Sequence, residues 1–235
     1  MSPAKPNCDS CPVKLHGAFA AVTREDMREM ARGRTVNTYK KRSTIFYEGN
    51  PSMGLFCVFS GKVKIFKHGA DGHLQISRLA KPGDLLGYRA LLAGEPYAAT
   101  AEVIEDATIC FLDRALAFKI LRQNADLTLG ILKRVCQDLR VAERRALDLI
   151  QKPVVQRVAG LLLELQRDFG RPTPAGVRLD IDLTREEMAQ MAGTTAESLI
   201  RTLSDFKQKG LVDLRDHCVF IKSQAGIERL IPLES

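Results

Sequence analysis

The stretch LTREEMAQMAGTTAESLIRTLSDFKQKGL, residues 183 to 211, contains the starts of two short helices. Thr184 followed by Glu187 is a capping-box pattern, in which a hydroxyl and a carboxylate bind free backbone N–H groups of the first helical turn. Thr194 begins a second pattern of the same kind. Gly193 lies between them, where a tight turn favours a residue that tolerates positive φ. The stretch therefore predicts a helix-turn-helix.

The second predicted helix has an apolar side and a polar side, as expected for a helix on the surface of a core. The apolar positions are Leu199, Ile200, Leu203 and Phe206. The polar positions are Glu197, Ser198, Arg201, Asp205 and Gln208. The segment GLVDLRDHCVFIK, residues 210 to 222, follows and predicts two short strands around a turn, the wing of a winged helix.

In a DNA-binding helix-turn-helix, the second helix enters the major groove with its N-terminal residues at the base edges. Arg201 can donate two hydrogen bonds to guanine, and Glu197 can accept one from a cytosine amino group. Residues at helix starts suit phosphate contacts. The predicted DNA-binding residues are Glu197, Ser198, Arg201, Thr195, Thr184 and Arg185. The alternative is an ordinary helical hairpin with a solvated face, in which Glu197 and Arg201 form an i, i+4 ion pair.

Residues 34 to 113 have the character of many short strands. Apolar and β-branched runs such as STIFYE and KVKIFK alternate with Gly-, Pro- and Asp-containing turn signals roughly every ten residues. This pattern predicts an all-β barrel, roll or sandwich. We expect no helix of useful length within it.

Residues from about 125 to 151 predict one long helix with an apolar seam at spacings of three and four residues. The seam positions are Ile131, Val135, Leu139, Ala142, Ala146 and Leu149. A single apolar stripe on a long helix favours pairing with a copy of itself, and the alternative is packing on its own domain. Pro153 suits the first turn of a following helix. We therefore place a domain boundary near Lys152.

The charge of the chain does not by itself identify a DNA-binding domain. The net charge is +7, but residues 1–151 hold 23 Lys and Arg against 16 Asp and Glu, whereas residues 152–235 hold 12 of each kind. No apolar run reaches the ~20 residues that cross a bilayer, and the N-terminus has no apolar signal-peptide core. We expect a cytoplasmic protein with no membrane contact and mostly reduced cysteines.

A β-roll, a long helix and a winged helix in this order resemble the CRP/FNR family of bacterial transcription regulators, over nearly the whole chain from about Phe19 onward. The most specific part is LTREEMAQMAGTTAESLIRTL, residues 183 to 203. There Glu197 and Arg201 occupy the positions of the family's principal base-reading residues, and Ser198 that of a further DNA contact. Ala196 stands where some members have an arginine, so the resemblance implies a different base preference at a flanking position.

The resemblance implies an α+β fold with an N-terminal double-stranded β-helix (a jelly-roll-like β-roll), a long dimerisation helix and a C-terminal winged helix-turn-helix. We expect a Cys-containing segment at 1–20, the β-roll sensor domain at 21–124, the dimerisation helix at 125–152 and the DNA-binding domain at 153–235. The implied partners are double-stranded DNA with a palindromic operator, a second copy of the chain in a homodimer, and RNA polymerase.

The segment PGDLLGYRALLAGEPYAATAEV, residues 82 to 103, resembles the family's phosphate-binding cassette. Tyr88 and Ala98 stand where cyclic-nucleotide binders have a glutamate for the ribose and an arginine for the phosphate. Without that arginine the phosphate loses a charge-assisted, bidentate partner, so we do not expect cyclic AMP to be the ligand. If this segment is extended, Arg89 points away from Tyr88. The predicted effector-pocket residues are Gly87, Tyr88, Arg89, Tyr97, Ala98 and Ala99.

The cysteines suggest a second kind of site. Oxygen-sensing members of the family carry an N-terminal cysteine cluster and one roll cysteine, and Cys8, Cys11 and Cys110 resemble part of that set. An iron–sulfur cluster normally needs four thiolates, and the family's remaining N-terminal ligand position is Gly17 here. His16 or Cys57 could substitute, although nothing in the sequence requires a cluster. In the alternative, the cysteines at 57, 110, 136 and 218 are small buried hydrophobes.

Two other classes of protein are rivals. The first is a redox or metal-binding protein, with the N-terminal CxxC as its primary site, whose helical C-terminus serves only for packing. The second is an enzyme, which the sequence does not support, since it contains no GxxxxGK[ST], GxGxxG, HExxH or GxSxG motif. The sequence therefore favours a DNA-binding transcription regulator.

Overall fold

The computed structural model of the protein describes residues 6, 8, 11, 22–69 and 74–231. The chain forms two compact units, residues 1–71 with 77–141 and residues 72–76 with 142–235. The expected α+β architecture, with a β-rich first part, a long helix and a C-terminal helix-turn-helix, is confirmed. No helix in the described ranges is long and apolar enough to cross a membrane.

The first unit is built around antiparallel strands. They are β1 (Thr35–Tyr39), β2 (Thr44–Phe46), β3 (Gly54–His68), β4 (Leu74–Ala80), β5 (Leu85–Leu86) and β6 (Thr100–Asp113), and only residues 74–76 of β4 are grouped with the second unit. The strand order is β1-β6-β3-β4, and β2 pairs with β6 while β5 pairs with β3. The long strands β3 and β6 form the centre, with Phe56 opposite Phe111 and Val63 opposite Val103. The apolar runs of the sequence therefore supply the core of the roll.

Several helices of the described ranges belong wholly or partly to this unit. They are α1 (Arg24–Gly33), α2 (Tyr88–Ala93), α3 (Arg114–Gln123) and the N-terminal part of α4 (Ala125–Gln151). Helix α2 interrupts the strands, but its six residues agree with the expectation of no helix of useful length there. Glycines with left-handed φ, Gly87 and Gly94, bracket it and let the chain leave and rejoin extended backbone. Its six residues are too few to show a helical period in the sequence.

Helix α4 is a single helix of 27 residues, and the division between the two units falls inside it, after Val141. Its first turns pack on the roll: Leu127 and Ile131 are buried, and Val135 packs against the same apolar cluster. The prediction that Ile131 and Val135 contact a second copy of the chain was therefore wrong, because these two side chains pack on the apolar cluster of their own unit. Leu139 is 59% exposed.

The second unit contains the remaining elements. They are α5 (Val154–Phe169), β7 (Gly170–Thr173), β8 (Gly176–Leu179), α6 (Arg185–Met191), α7 (Ala196–Gln208), β9 (Val212–Arg215), β10 (Cys218–Ile221) and α8 (Gln224–Glu228). Its strands form one antiparallel sheet in the order β7-β8-β10-β9. The strands β7 and β8 form a hairpin directly after α5. The expected wing is present as β9 and β10, joined at Asp216 and His217, which both have positive φ.

The helix-turn-helix follows the sequence pattern with two changes. Thr184 and Glu187 form the expected capping box at α6. The cap of α7 is Thr195, whose side chain accepts from the Ser198 backbone N–H, and not Thr194. Ile200 is 52% exposed, so the expectation that it faces the core was wrong. Its neighbour Leu199 takes the buried position.

Candidate DNA-binding surface and effector pocket

The outer face of helix α7 carries the two predicted base readers. Leu199, Leu203 and Phe206 are fully buried and fix which side of α7 faces the core. Glu197 and Arg201 lie one turn apart on the exposed side. Within the described part of the chain, neither side chain has a hydrogen bond or an ion pair. The i, i+4 ion pair of the helical-hairpin alternative is therefore not formed, and both polar ends are accessible.

The predicted phosphate-contacting residues lie at the starts of α6 and α7. Thr184 and Thr195 are exposed and use their hydroxyls as helix caps. The Thr195 hydroxyl lies 3.0 Å from the Ser198 hydroxyl, and Ser198 is half-buried beside the exposed face. Arg185 is also half-buried, and its Nη1 contacts the sulfur of Met188 at 3.4 Å. Desolvation lowers the pKa of Arg185 from its usual value.

Exposed Ile200 is a residue of this surface that sequence reasoning missed. It follows Glu197 by three positions and precedes Arg201, so it borders the polar face. Ile200, Leu203 and Phe206 recur every three residues, which is a spacing typical of a buried helix face, and this spacing predicted that Ile200 faces the core. An exposed apolar side chain on a major-groove helix can contact a thymine methyl group.

The wing is braced by polar contacts around Asp213. Arg215 donates to the Asp213 carboxylate at 2.6 Å, and Lys207 of α7 lies 3.7 Å from it. The hydrogen bond from Arg215 holds the pKa of Asp213 below its usual value. The guanidinium of Arg215 also lies over the Phe220 ring. These contacts tie the two wing strands to the end of α7.

The predicted effector-pocket residues come together in the first unit. They line one cavity together with five others, and the lining residues are Phe46, Ile65, Arg78, Leu86, Gly87, Tyr88, Arg89, Ala90, Tyr97, Ala98 and Ala99. The cavity is about 50 Å³, well below the ~300–1,000 Å³ of typical ligand sites. The Tyr97 ring fills part of it, stacked on Phe46 with centroids 4.1 Å apart. The Tyr97 hydroxyl accepts from the Met53 backbone N–H at 3.0 Å.

Tyr88 is buried, and a polar network surrounds its hydroxyl. The hydroxyl donates to the carboxylate of Asp138 on helix α4 and lies 3.4 Å from Nη1 of Arg78. Burial raises the pKa of Tyr88 above its usual value. Arg134 donates to Asp138 at 3.1 Å and to Asp84 at 3.2 Å. We call these five residues the Tyr88 network, and it joins the cassette to helix α4.

The side chain of Arg89 does not point directly away from that of Tyr88, as it would in an extended segment. Because Tyr88 and Arg89 begin helix α2, their side chains diverge by about 100° and not by half a turn. Tyr88 is buried, whereas Arg89 is exposed at the edge of the cavity.

Four cysteines, Cys8, Cys11, Cys57 and Cys110, lie around one part of the roll core, and we call them the cysteine cluster. Cys57 and Cys110 are directly opposite each other on β3 and β6. Cys11 is buried in the same apolar cluster, and Cys8 packs against it. Burial, together with the neighbouring thiols, raises the pKa of Cys57 well above its usual value, and burial raises the pKa of Cys110 to about 11. The Cys57 and Cys110 thiols are therefore protonated at neutral pH.

An arginine lies beside the cysteine cluster. Among the described residues, no three His, Cys, Asp or Glu side chains are placed so that they could hold a metal ion. His16 and Gly17 lie outside the described residues. Arg34 donates to the sulfur of Cys8 and to the carbonyl of Pro6, so a cation already faces this thiol. The alternative, in which the other cysteines are small buried hydrophobes, does not hold for Cys136, which is exposed on α4, and Cys218 is half-buried in the wing.

Known proteins resemble both parts of the chain. A family model described as a cyclic nucleotide-binding domain matches residues 36–124, and one described as a Crp-like helix-turn-helix domain matches residues 156–230. The chain is 29% identical over 191 residues to the CRP-like cAMP-activated global transcriptional regulator of Mycobacterium tuberculosis, covering 81% of this chain and 85% of that protein. It is 27% identical over 181 residues to the anaerobic regulatory protein of Bacillus subtilis, covering 77% and 76% of the two chains.

The fold also matches that of a protein whose structure has been solved. The structure of FixK2 from Bradyrhizobium japonicum aligns with a TM-score of 0.76 at 24% identity, and the alignment covers 86% of this chain and 99% of that one. The two family models, the related regulators and this structural match all agree with the order of roll, long helix and helix-turn-helix described above. The chain therefore belongs to the CRP/FNR family of transcription regulators.

Proposed function

We propose that the protein is a homodimer that reads a palindromic operator through helix α7 and does not use cyclic AMP as its effector in the usual way. The observation that carries the DNA-reading role is the pair Glu197 and Arg201, exposed one turn apart with no partner within the described ranges. Neither residue belongs to the buried face of α7, which consists of Leu199, Thr202, Leu203 and Phe206. Their polar groups are available for base edges.

The chemistry of this pair suits adjacent base pairs. Arg201 presents two parallel N–H donors to guanine, and Glu197 presents an acceptor to a cytosine amino group. Thr184, Thr195, Ser198 and Arg185 lie at helix starts, where hydroxyls and backbone N–H groups can orient the unit on the phosphates without reading sequence. Ile200 adds an apolar contact beside Arg201.

The homodimer is supported by an exposed apolar stripe on helix α4. Its members recur at spacings typical of a coiled coil, with Glu143 at one position of the repeat, and they are Leu132, Cys136, Leu139, Ala146 and Ile150. Leu132 is 56% exposed and Ile150 is 83% exposed. This stripe lies beside the face that packs on the roll, so α4 can contact its own unit and a second copy together. Two-fold symmetry of the protein then requires a palindromic operator.

The pocket supports the proposal on cyclic AMP. The Mycobacterium tuberculosis relative is described as cAMP-activated, but this chain has Tyr88 and Ala98 at the two positions that bind ribose and phosphate in cyclic-nucleotide binders. The guanidinium of Arg78 is already engaged, because it donates to the Leu85 carbonyl at 2.9 Å. A different effector would act by binding one arrangement of the roll and α4 better than another.

The remaining parts of the proposal follow from the family. RNA polymerase is the further partner of a transcription regulator, and the cytoplasm is the compartment in which it meets DNA. The related proteins are named as regulators and not as enzymes, so we propose no catalytic activity.

Selection of binding sites from a random pool of double-stranded DNA tests the function. We expect an enriched sequence with two inverted half-sites about one helical turn apart, bound by a protein whose mass in light scattering is that of two chains. Binding should weaken with rising salt, and the enriched site should be preferred over shuffled DNA. An enriched site without inverted symmetry, or equal binding to shuffled DNA, would contradict the proposal.

The cysteine cluster favours one second candidate, a thiol-based redox sensor within the same regulator. Cys8 of the CxxC pair is half-buried, and the Arg34 guanidinium donates to its sulfur, which is the electropositive and partly exposed setting in which thiols react. The first test is an ultraviolet–visible spectrum with iron and sulfide assays on protein purified without oxygen. Stoichiometric iron and sulfide would assign an iron–sulfur cluster and contradict a thiol-only sensor. A colourless protein whose operator affinity changes on oxidation would support thiol sensing.

A further inference from the structure

Arg157, near the start of α5, donates hydrogen bonds to three backbone carbonyls of the second unit. Its Nη1 donates to the Lys152 carbonyl at 2.6 Å, at the C-terminal end of α4. Its Nε donates to the Ala192 carbonyl at 2.9 Å, and its Nη2 donates to the Gly193 carbonyl at 2.9 Å. The last two carbonyls belong to the turn between α6 and α7. A single guanidinium therefore joins the end of the long helix to the turn of the helix-turn-helix.

Two further contacts hold the same region together. Gly193 has a φ of +62°, and a Cβ added to it would lie 2.1 Å from Cδ2 of Leu149, so the turn lies directly on the last turns of α4. Arg145 of α4 pairs with Glu164 of α5 at 2.8 Å. The end of α4, the start of α5 and the turn before α7 are thus in mutual contact.

The three hydrogen bonds depend on the shape of arginine. The guanidinium is planar and offers five donors in a fixed fork, whereas a lysine ammonium is a compact charge that cannot span three carbonyls in different directions. The carbonyls of Ala192 and Gly193 lie immediately before Thr194 and Thr195, where α7 begins. Fixing these carbonyls therefore fixes the direction in which α7 leaves the turn.

We propose that Arg157 is a positioning residue for sequence reading, which holds the turn before α7 in the orientation that places Glu197 and Arg201 against base edges. Arg157 is not proposed to contact DNA. It acts through the backbone of the turn, and it links that turn to the end of α4. This inference rests on the proposed DNA-reading function of α7.

The distinguishing measurement is the ratio of affinities for the selected operator and for shuffled DNA. Base reading requires accurate placement of side chains, whereas phosphate attraction tolerates a displaced helix. In Arg157→Lys, which keeps the charge, we expect operator affinity to fall at least about tenfold while shuffled-DNA affinity stays within about twofold. The ratio does not depend on the folded fraction, because inactive protein lowers both affinities equally. Arg157→Gln is the second variant if the lysine variant cannot be purified.

The matched control is Arg229→Lys, the same change at an exposed arginine of the same unit, which should leave the ratio unchanged. Amide hydrogen exchange gives an independent readout, and exchange at residues 193–195 should accelerate in Arg157→Lys but not in the control. An unchanged ratio, or an equal fall on both DNAs, would overturn the role of Arg157. If the native protein itself shows no preference for any site, the proposed function fails instead, so the two failures are distinguishable.

Discussion

The hydroxyl of Tyr88 donates a hydrogen bond to the carboxylate of Asp138 and thereby joins the cassette of the roll to helix α4. Arg134 and Arg78 flank this bond and balance the charge of Asp138. The Tyr88 side chain is thus hydrogen-bonded within the protein, to a residue of the long helix. The Tyr88 network therefore connects the roll to the N-terminal part of α4.

Removal of the Tyr88 hydroxyl tests that connection. Tyr88→Phe keeps the buried ring but removes the hydroxyl donor from Asp138, so we expect a loss of ~1.5–3 kcal/mol in the free energy of unfolding. Chemical denaturation measures the change. The matched control is Tyr47→Phe, since Tyr47 is 59% exposed and should lose almost nothing. Equal stability of the two variants would show that the buried bond contributes little.

Arg201→Ala tests base reading by α7. Loss of two donors to a guanine edge should cost ~1–3 kcal/mol on the operator and flatten the preference at one base pair. Binding titrations on the operator and on its single-base variants measure both effects. Lys209→Ala, which removes an exposed charge after the end of α7, is the control for simple loss of positive charge. Equal losses on specific and random DNA would argue against base reading.

Leu139→Glu tests the proposed dimer stripe. A carboxylate in the middle of an apolar helix pair is desolvated and unpaired, so we expect the dimer dissociation constant to rise by at least about a hundredfold. Sedimentation or light scattering over a concentration series measures it. Gln137→Glu adds a charge to the opposite, exposed side of α4 and should leave the dimer intact. Dissociation in both variants would point to a general effect of charge on the helix.

Cys136 provides a covalent test of how the two helices pair. It is exposed and lies between Leu132 and Leu139 in the stripe. In a parallel pair the two copies face each other within the ~4.4–6.8 Å Cα separation that a disulfide requires. Mild oxidation should give a covalent dimer on a non-reducing gel, and Cys136→Ser should abolish it while Cys218→Ser should not. A covalent dimer that persists without Cys136 would place the interface elsewhere.

Cyclic AMP should leave the melting temperature unchanged. A ligand present at 100 times its Kd stabilises by ~2.7 kcal/mol, which corresponds to an increase of about 5–10 °C for a chain of this size. Thermal denaturation with and without millimolar cyclic AMP makes the comparison, and 5′-AMP controls for nonspecific nucleotide effects. A clear increase with cyclic AMP alone would show that the pocket opens around the two tyrosines.

Local sequence signals predicted the helix-turn-helix well because they act within a few residues. A capping box joins positions three apart, and the cap at Thr184 is formed as expected. Short elements were harder to predict. Helix α2 and the hairpin of β7 and β8 each consist of only a few residues beside glycines. They are too short to show the hydrophobic periodicity of a helix or a strand. The cap shifted from Thr194 to Thr195, since neighbouring threonines carry the same local signal.

Which apolar residues were buried depended on contacts between distant segments. Ile131 and Val135 belonged to the same repeating series as Leu139, but only the first two pack on the roll. Ile200 had the spacing of a core residue and is exposed, whereas its neighbour Leu199 is buried. Periodicity identifies a face of a helix, but it does not identify the surface that the face meets.

The sequence by itself determined the family, the order of roll, long helix and helix-turn-helix, and the candidate base readers, because these depend on motifs, turn residues and local periodicity. Tertiary structure alone decided how residues far apart in the chain meet. It placed Tyr88 against Asp138, gathered Cys57 and Cys110 with the N-terminal cysteines, and brought Arg157 to the carbonyls of the turn. The physical reason is that hydrogen bonds and burial act over a few ångströms in space, whatever the separation along the chain.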